Sequence, residues 1–144
     1  MRQPSETLVL DAAILVAAVR GRTSGAILEV SQVAALVTTE RVVSEARRRI
    51  ELGLKRADLL PVLAGLLEEV TVIPMESLDA FSTDAETTFR LAAASGNGSI
   101  RDAHVLALAW DAGADIWTTD RDFAGTGVAT WSTPNLMRAL AERI

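Results

Sequence analysis

Apolar residues recur along the chain in two different registers, and the alternation between them predicts its elements. Short apolar runs with β-branched content stand at Thr7 to Leu10, Ala34 to Thr38, Val70 to Ile73, Ala114 to Thr118 and Val128 to Trp131. Such runs have the length and composition of strands buried on both faces of a parallel sheet. Between them, spacings of three and four predict helices over Ala12 to Val19, Ser24 to Val33, Glu40 to Leu52, Lys55 to Glu69 and Glu76 to Ala94. The stripe Ile100, Ala103, Leu106, Ala107 and Trp110 predicts another helix, stopped by Gly113. Thr133-Pro134 offers a cap and a first-position proline for a last one. Pro61 suits its helix only in the first turn or at a kink. Strands that alternate with helices throughout imply a three-layer α/β/α sandwich with a parallel sheet of about five strands, in a single domain over residues 1–144.

The polar residues at the ends of these elements carry the candidate chemistry. Asp11 directly follows the first strand, and Asp120 and Asp122 follow the fourth. In an open α/β sheet, ligands bind in the crevice outside the carboxyl ends of the strands. Asp102 opens a helix, and Glu45 lies at the edge of the apolar stripe of the Glu40 helix. Each acid also has an ordinary structural role open to it. Asp11 can cap the following helix, and Asp102 can close a capping box from Ser99. Glu45 can pair with Arg41 or Arg49 at four-residue spacing, and Asp120 and Asp122 can be solvated turn residues. Brought to one crevice, however, these carboxylates would raise one another's pKa values unless a cation neutralised them. Oxygen-only ligands suit Mg²⁺ or Mn²⁺, whereas the lack of cysteine and of clustered histidine argues against zinc.

Composition narrows the field further. With no cysteine, disulfides, thiolate metal sites and cysteine nucleophiles are excluded. A net charge of −5 argues against broad non-specific binding to nucleic acid. The average conceals a basic cluster, Arg47, Arg48, Arg49, Lys55 and Arg56, which is either a solvated helix face or a set of phosphate contacts. The first apolar run is interrupted by Asp11, and no stretch approaches the roughly 18 apolar residues of a membrane span. A cytoplasmic protein is expected. His104, the one histidine, falls two residues after Asp102, off that face of its helix, and is read as core or surface. Trp110, Trp117 and Trp131 are read as core residues. A receiver domain needs a lysine near its last strand, but Lys55 is the only lysine. A haloacid-dehalogenase-like phosphatase needs an aspartate where Ala13 stands.

LVLDAAIL around Asp11, TTERVVSEARRRI around Glu45 and IRDAHVLALAWDAGADIWTTDRDF around Asp102 and Asp120 together resemble a PIN domain, over nearly the whole chain. The size is similar to that of single-domain VapC-type toxins of bacterial toxin-antitoxin pairs. The resemblance implies a metal-binding and catalytic quartet of Asp11, Glu45, Asp102 and Asp120, with Asp122 a supporting acid. Thr118 matches a hydroxyl residue that orients a carboxylate or water, and Arg101 and Arg121 flank the acids as phosphate contacts or charge balance. It implies Mg²⁺- or Mn²⁺-dependent hydrolysis of RNA phosphodiesters with water as nucleophile. It also implies a small antitoxin partner and a homodimer, for which the apolar faces of the Ser24 and Lys55 helices are candidates. Ala13 departs from the family, which often has serine, threonine or asparagine there. The alternatives are an RNA-processing nuclease without antitoxin and a catalytically weak PIN-like binding module.

Overall fold

A computed structural model describes residues 2–21, 24–91 and 102–142. Five parallel strands form one sheet in the order β3-β2-β1-β4-β5, where β1 is Thr7–Leu10, β2 Ala35–Thr39, β3 Thr71–Ile73, β4 Asp115–Trp117 and β5 Thr130–Trp131. In register, Leu8 pairs with Leu36 on one side and Asp115 on the other. Leu8, Val9 and Leu10 have no exposed surface, as expected of a central strand covered on both faces.

The chain runs outward from β1 through β2 to β3, then returns to the other side of β1 for β4 and β5. The reversal sets a topological switch point between β1 and β4, the place where α/β sheets open their ligand crevice. Seven α-helices cover the faces among the described residues: α1 Ala12–Val19, α2 Ser24–Ser31, α3 Glu40–Arg48, α4 Leu60–Leu67, α5 Asp79–Leu91, α6 Ala103–Ala112 and α7 Thr133–Ala141. α1 packs against α2, α3 and α4, whereas α6 packs against α5 and lies over β1 and β2. The two groups form the outer layers of an α/β/α sandwich, as the alternation of elements predicts. One apolar cluster, with Trp117, Phe123, Ile14 and Leu106 among its fully buried side chains, fills the space between layers.

The sequence pattern and the structure differ at particular boundaries. The helix expected over Glu40 to Leu52 is α-helical only to Arg48 and continues as a π-helical turn, Arg49–Gly53. The expected Lys55 to Glu69 helix is a 3₁₀ turn, Ala57–Leu59, followed by α4, which holds Pro61 in its first turn. The cap of α7 is Ser132, whose hydroxyl accepts from the Asn135 N–H, rather than Thr133. Thr133 instead accepts from the Trp117 indole N–H at 2.9 Å. Gly113 ends α6 in the left-handed region at φ 62°, where a β-carbon is strained. The expected cap Ser99 and the flanking Arg101 lie outside the described residues.

Candidate functional site

The carboxyl end of β1 is tied to β4 on one side and to β2 on the other. The Asp11 N–H donates to the Trp117 carbonyl at 3.4 Å, and the Thr38 hydroxyl donates to the Leu10 carbonyl at 2.7 Å. Asp11 therefore leaves the sheet from a fixed backbone. One of its carboxylate oxygens accepts from the Ile14 N–H at 3.1 Å and caps α1; the other accepts from the Thr118 hydroxyl. Thr118 in turn accepts from the Asp120 N–H at 2.9 Å. A buried threonine thus holds the strand-one acid and orients the backbone that carries the strand-four acid.

Asp102 is placed from the other layer, immediately before α6. Its side chain makes no cap hydrogen bond to α6, and the capping box expected from Ser99 lies outside the described residues. Its carboxylate instead meets those of Asp120 and Asp122, with one oxygen from each lying within 4.8 Å of the others. Asp11, Glu45, Asp102 and Asp120 line a single pocket, together with Ala13, Val42, Arg49 and Phe123. The sequence-predicted quartet is thereby gathered around one cavity. The tighter cluster is Asp102, Asp120 and Asp122, so Asp122 adjoins two acids of the quartet without lining the pocket itself.

Burial and mutual repulsion leave their mark on the acids. Asp11 is pushed up to about 6, chiefly by burial and further by the charges of Asp120 and Asp102, against the opposing hydrogen bonds from Thr118 and Ile14. Asp102 is also pushed up to about 6, again by burial first, then by Glu45, Asp120 and Asp122, with Arg49 opposing. Carboxylates held ionised with difficulty, all oxygen donors, match the chemistry of a hard divalent cation. Glu45 fills its structural role as well, pairing with Arg49 at 3.7 Å across one helical turn.

The basic cluster divides. Arg48 and Arg49 join Arg41, Ser44 and His104 in lining a groove that shares Glu45, Arg49 and Asp102 with the acid pocket. Arg56 is taken up by a two-bond pair with Asp58 at 2.9 Å, away from the site. Arg121 is exposed in the turn after β4 and is not among the side chains lining the acid pocket. His104 is buried, and its Nδ1 meets the Thr39 hydroxyl at 2.8 Å. Burial and the neighbouring Arg41 push its imidazole down to about 4. The spacing of Arg41 and Arg48, seven residues apart on α3, places both on one helical face, a signal present in the sequence. The tryptophans pack as expected: Trp117 is fully buried, and Trp110 meets Phe81 edge-on at 6.5 Å between ring centroids.

Comparison with known proteins agrees with this layout. The fold matches VapBC2 from Rickettsia felis, whose crystal structure is bound to a DNA fragment from their promoter, with a TM-score of 0.67 over 88% of this chain and 98% of that one at 14% identity. It also matches PAE2754 from Pyrobaculum aerophilum, with a TM-score of 0.61 over 94% of this chain and 96% of the other at 17% identity. No curated protein sequence matches the chain. The PIN domain family model matches residues 9–141, from the middle of β1 to the end of α7 and across every acid of the pocket, and the chain belongs to the PIN domain family.

Proposed function

We propose that the protein is a Mg²⁺- or Mn²⁺-dependent endoribonuclease and the toxin of a type II toxin-antitoxin pair. The observation that carries this reading is the convergence of Asp102, Asp120 and Asp122, one oxygen from each within 4.8 Å of the others, at a pocket lined by Asp11, Glu45, Asp102 and Asp120. The quartet Asp11, Glu45, Asp102 and Asp120 would hold the ion, with Asp122 beside Asp102 and Asp120 in support. The ion, when bound, supplies a water of lowered pKa and neutralises charge on the phosphate. Thr118 keeps Asp11 oriented and ionised by donating to its carboxylate. Glu45, half exposed on α3 and paired with Arg49, would position the attacking water or take its proton.

The toxin assignment rests on PIN membership and on the likeness to a VapBC structure. The antitoxin is proposed to cover the α2 and α4 surface, where Leu28, Val33 and Val62 are exposed. A second copy of the chain is the other occupant of this apolar face, giving a homodimer. Among the described residues no helix is long and apolar enough to cross a membrane, and a cytoplasmic location is proposed.

The test is cleavage of a structured RNA pool in Mn²⁺, Mg²⁺ or EDTA by the wild-type chain and by Asp120→Asn. Cleavage confined to the wild type with metal is the expected result. Metal-independent cleavage, or equal cleavage by Asp120→Asn, overturns the assignment. Folded protein that binds Mn²⁺ but cleaves no RNA would favour the binding-module reading.

A further inference from the structure

The acid pocket continues into the groove along α3, and the chemistry of that groove is opposite in sign. Arg41, Ser44 and Arg48 line it beyond its junction with the acid pocket, where Glu45, Arg49 and Asp102 line both. Arg41 and Arg48 are seven residues apart on a helix that rises about 1.5 Å per residue, so their backbones stand about 10 Å apart on one face. On the far side of Arg41 and His104 lies a second groove, lined by Glu76, Asp79 and Glu86. Arg41 and His104 therefore form the ridge between a cationic groove and an anionic one. A polyanion entering the acid pocket is repelled by the second groove and attracted along the first.

His104 adds a neutral donor to that ridge. Thr39 is fully buried, and its hydroxyl oxygen already accepts from the Val42 N–H at 3.0 Å. Among the described residues the acceptor for its own proton is His104 Nδ1. The imidazole then carries its proton on Nε2. A neutral N–H beside two arginines suits a phosphate or ribose oxygen.

We infer that Arg41, Arg48 and His104 form a track for the sugar-phosphate backbone of a single RNA strand on one side of the scissile bond, running along α3 away from the acids. The inference rests on the nuclease reading above and adds where the strand lies. Single-strand binding through phosphates releases counterions, at about 0.7 in the slope of log K against log salt for each phosphate neutralised.

The experiment measures anisotropy of a fluorescein-labelled 12-nucleotide mixed-sequence RNA in EDTA over a salt series, with wild-type protein, Arg41→Ala, Arg48→Ala and Arg47→Ala. Arg47 is exposed on the same helix but does not line the groove. Circular dichroism checks folding, and cleavage of the same RNA in Mn²⁺ is followed in parallel. Arg41→Ala and Arg48→Ala are each expected to reduce the slope by about 0.7 and the affinity by about fivefold to twentyfold, while Arg47→Ala is unchanged. Equal losses for all three variants overturn the track in favour of diffuse charge. Wild-type cleavage with unimpaired binding and cleavage by Arg41→Ala and Arg48→Ala overturns the track and leaves the nuclease reading standing. Neither binding nor cleavage by the wild type overturns both.

Discussion

Asp11 and Asp102 are displaced to the same value, about 6, by the same leading cause, and yet they are held in different ways. Asp11 is tied on both oxygens, to the Ile14 N–H and to the Thr118 hydroxyl, at the end of the buried central strand. Asp102 sits before α6 with no cap hydrogen bond, and faces Asp120 and Asp122. The first is a preorganised acid whose structural bonds offset part of its burial. The second is an acid whose neighbours are mostly other acids. Its position makes sense in a site that gathers positive charge, because mutual repulsion without a cation only costs stability.

The largest expected effect breaks that comparison at its weaker-held member. Asp102→Asn should abolish Mn²⁺ binding in calorimetry and lower RNA cleavage roughly 100-fold or more, since the stabilisation supplied by a metal is worth several kcal/mol and each 1.4 kcal/mol is about tenfold. The same substitution should raise the melting temperature of the metal-free protein, because it removes a repelled carboxylate. A variant that binds Mn²⁺ like the wild type would return Asp102 to a structural role.

Next in size is the tie on the other acid. Thr118→Val keeps the shape but removes the donor to Asp11 and the acceptor for the Asp120 N–H. Mn²⁺ affinity should fall by roughly 10- to 100-fold, as for other groups that orient a ligand. Stability should fall by about 1–3 kcal/mol, the cost of leaving buried polar groups unpaired. Thr118→Ser should recover most of both. Unchanged affinity in the valine variant would mean that Asp11 needs no orientation.

Both acids predict how pH acts on the metal-free chain. Their folded pKa values lie above the unfolded ones, so folded protein holds the protons more tightly. Stability is greatest below about pH 4 on their account and is lost as pH rises through about 6. For the buried Asp11 a displacement of this size corresponds to roughly 3 kcal/mol. Mn²⁺ at 100 times its Kd should restore about 2.7 kcal/mol at pH 7.5, or roughly 5–10 °C in melting temperature. Chemical denaturation at pH 4.5 and 7.5, with and without Mn²⁺, reads both effects. A stability that does not fall over that interval, or is indifferent to Mn²⁺, would count against the charged pocket.

The smallest expected effect concerns the one cation lining the acid pocket among the described residues. Arg49 pairs with Glu45 and opposes the displacement of Asp102. Arg49→Ala should cost less than about 0.5 kcal/mol of stability, because the pair is exposed. It should tighten Mn²⁺ binding a few-fold by removing a competing charge. Weaker binding would instead make Arg49 a support for Glu45.

Much of this was legible in the chain. The five apolar runs became the five strands, and each candidate acid lies at or beside a strand end or on a helix facing the crevice. An ordinary structural role does not keep an acid from the pocket: Asp11 caps α1 and lines it, and Glu45 pairs with Arg49 and lines it too. The boundaries were less legible where non-local contacts outweigh local signals. The π-helical turn at Arg49–Gly53 has no period of its own in five residues, and β5 is two residues long because only Thr130 and Trp131 pair with β4. Ser132 and Thr133 are both good caps locally, and the Trp117 indole engages one of them from another element.

By itself the sequence determined the alternation of elements, the oxygen-only donor set and the positions of the acids, because periodicity and residue type act over a few residues. Only the tertiary structure decided that β4 returns beside β1, which brings Thr118 to Asp11 and Asp120 to Asp102. It alone divided the basic cluster between a groove that opens on the acids and a local pair with Asp58. Burial and charge proximity depend on which elements meet, and no spacing along a chain records that.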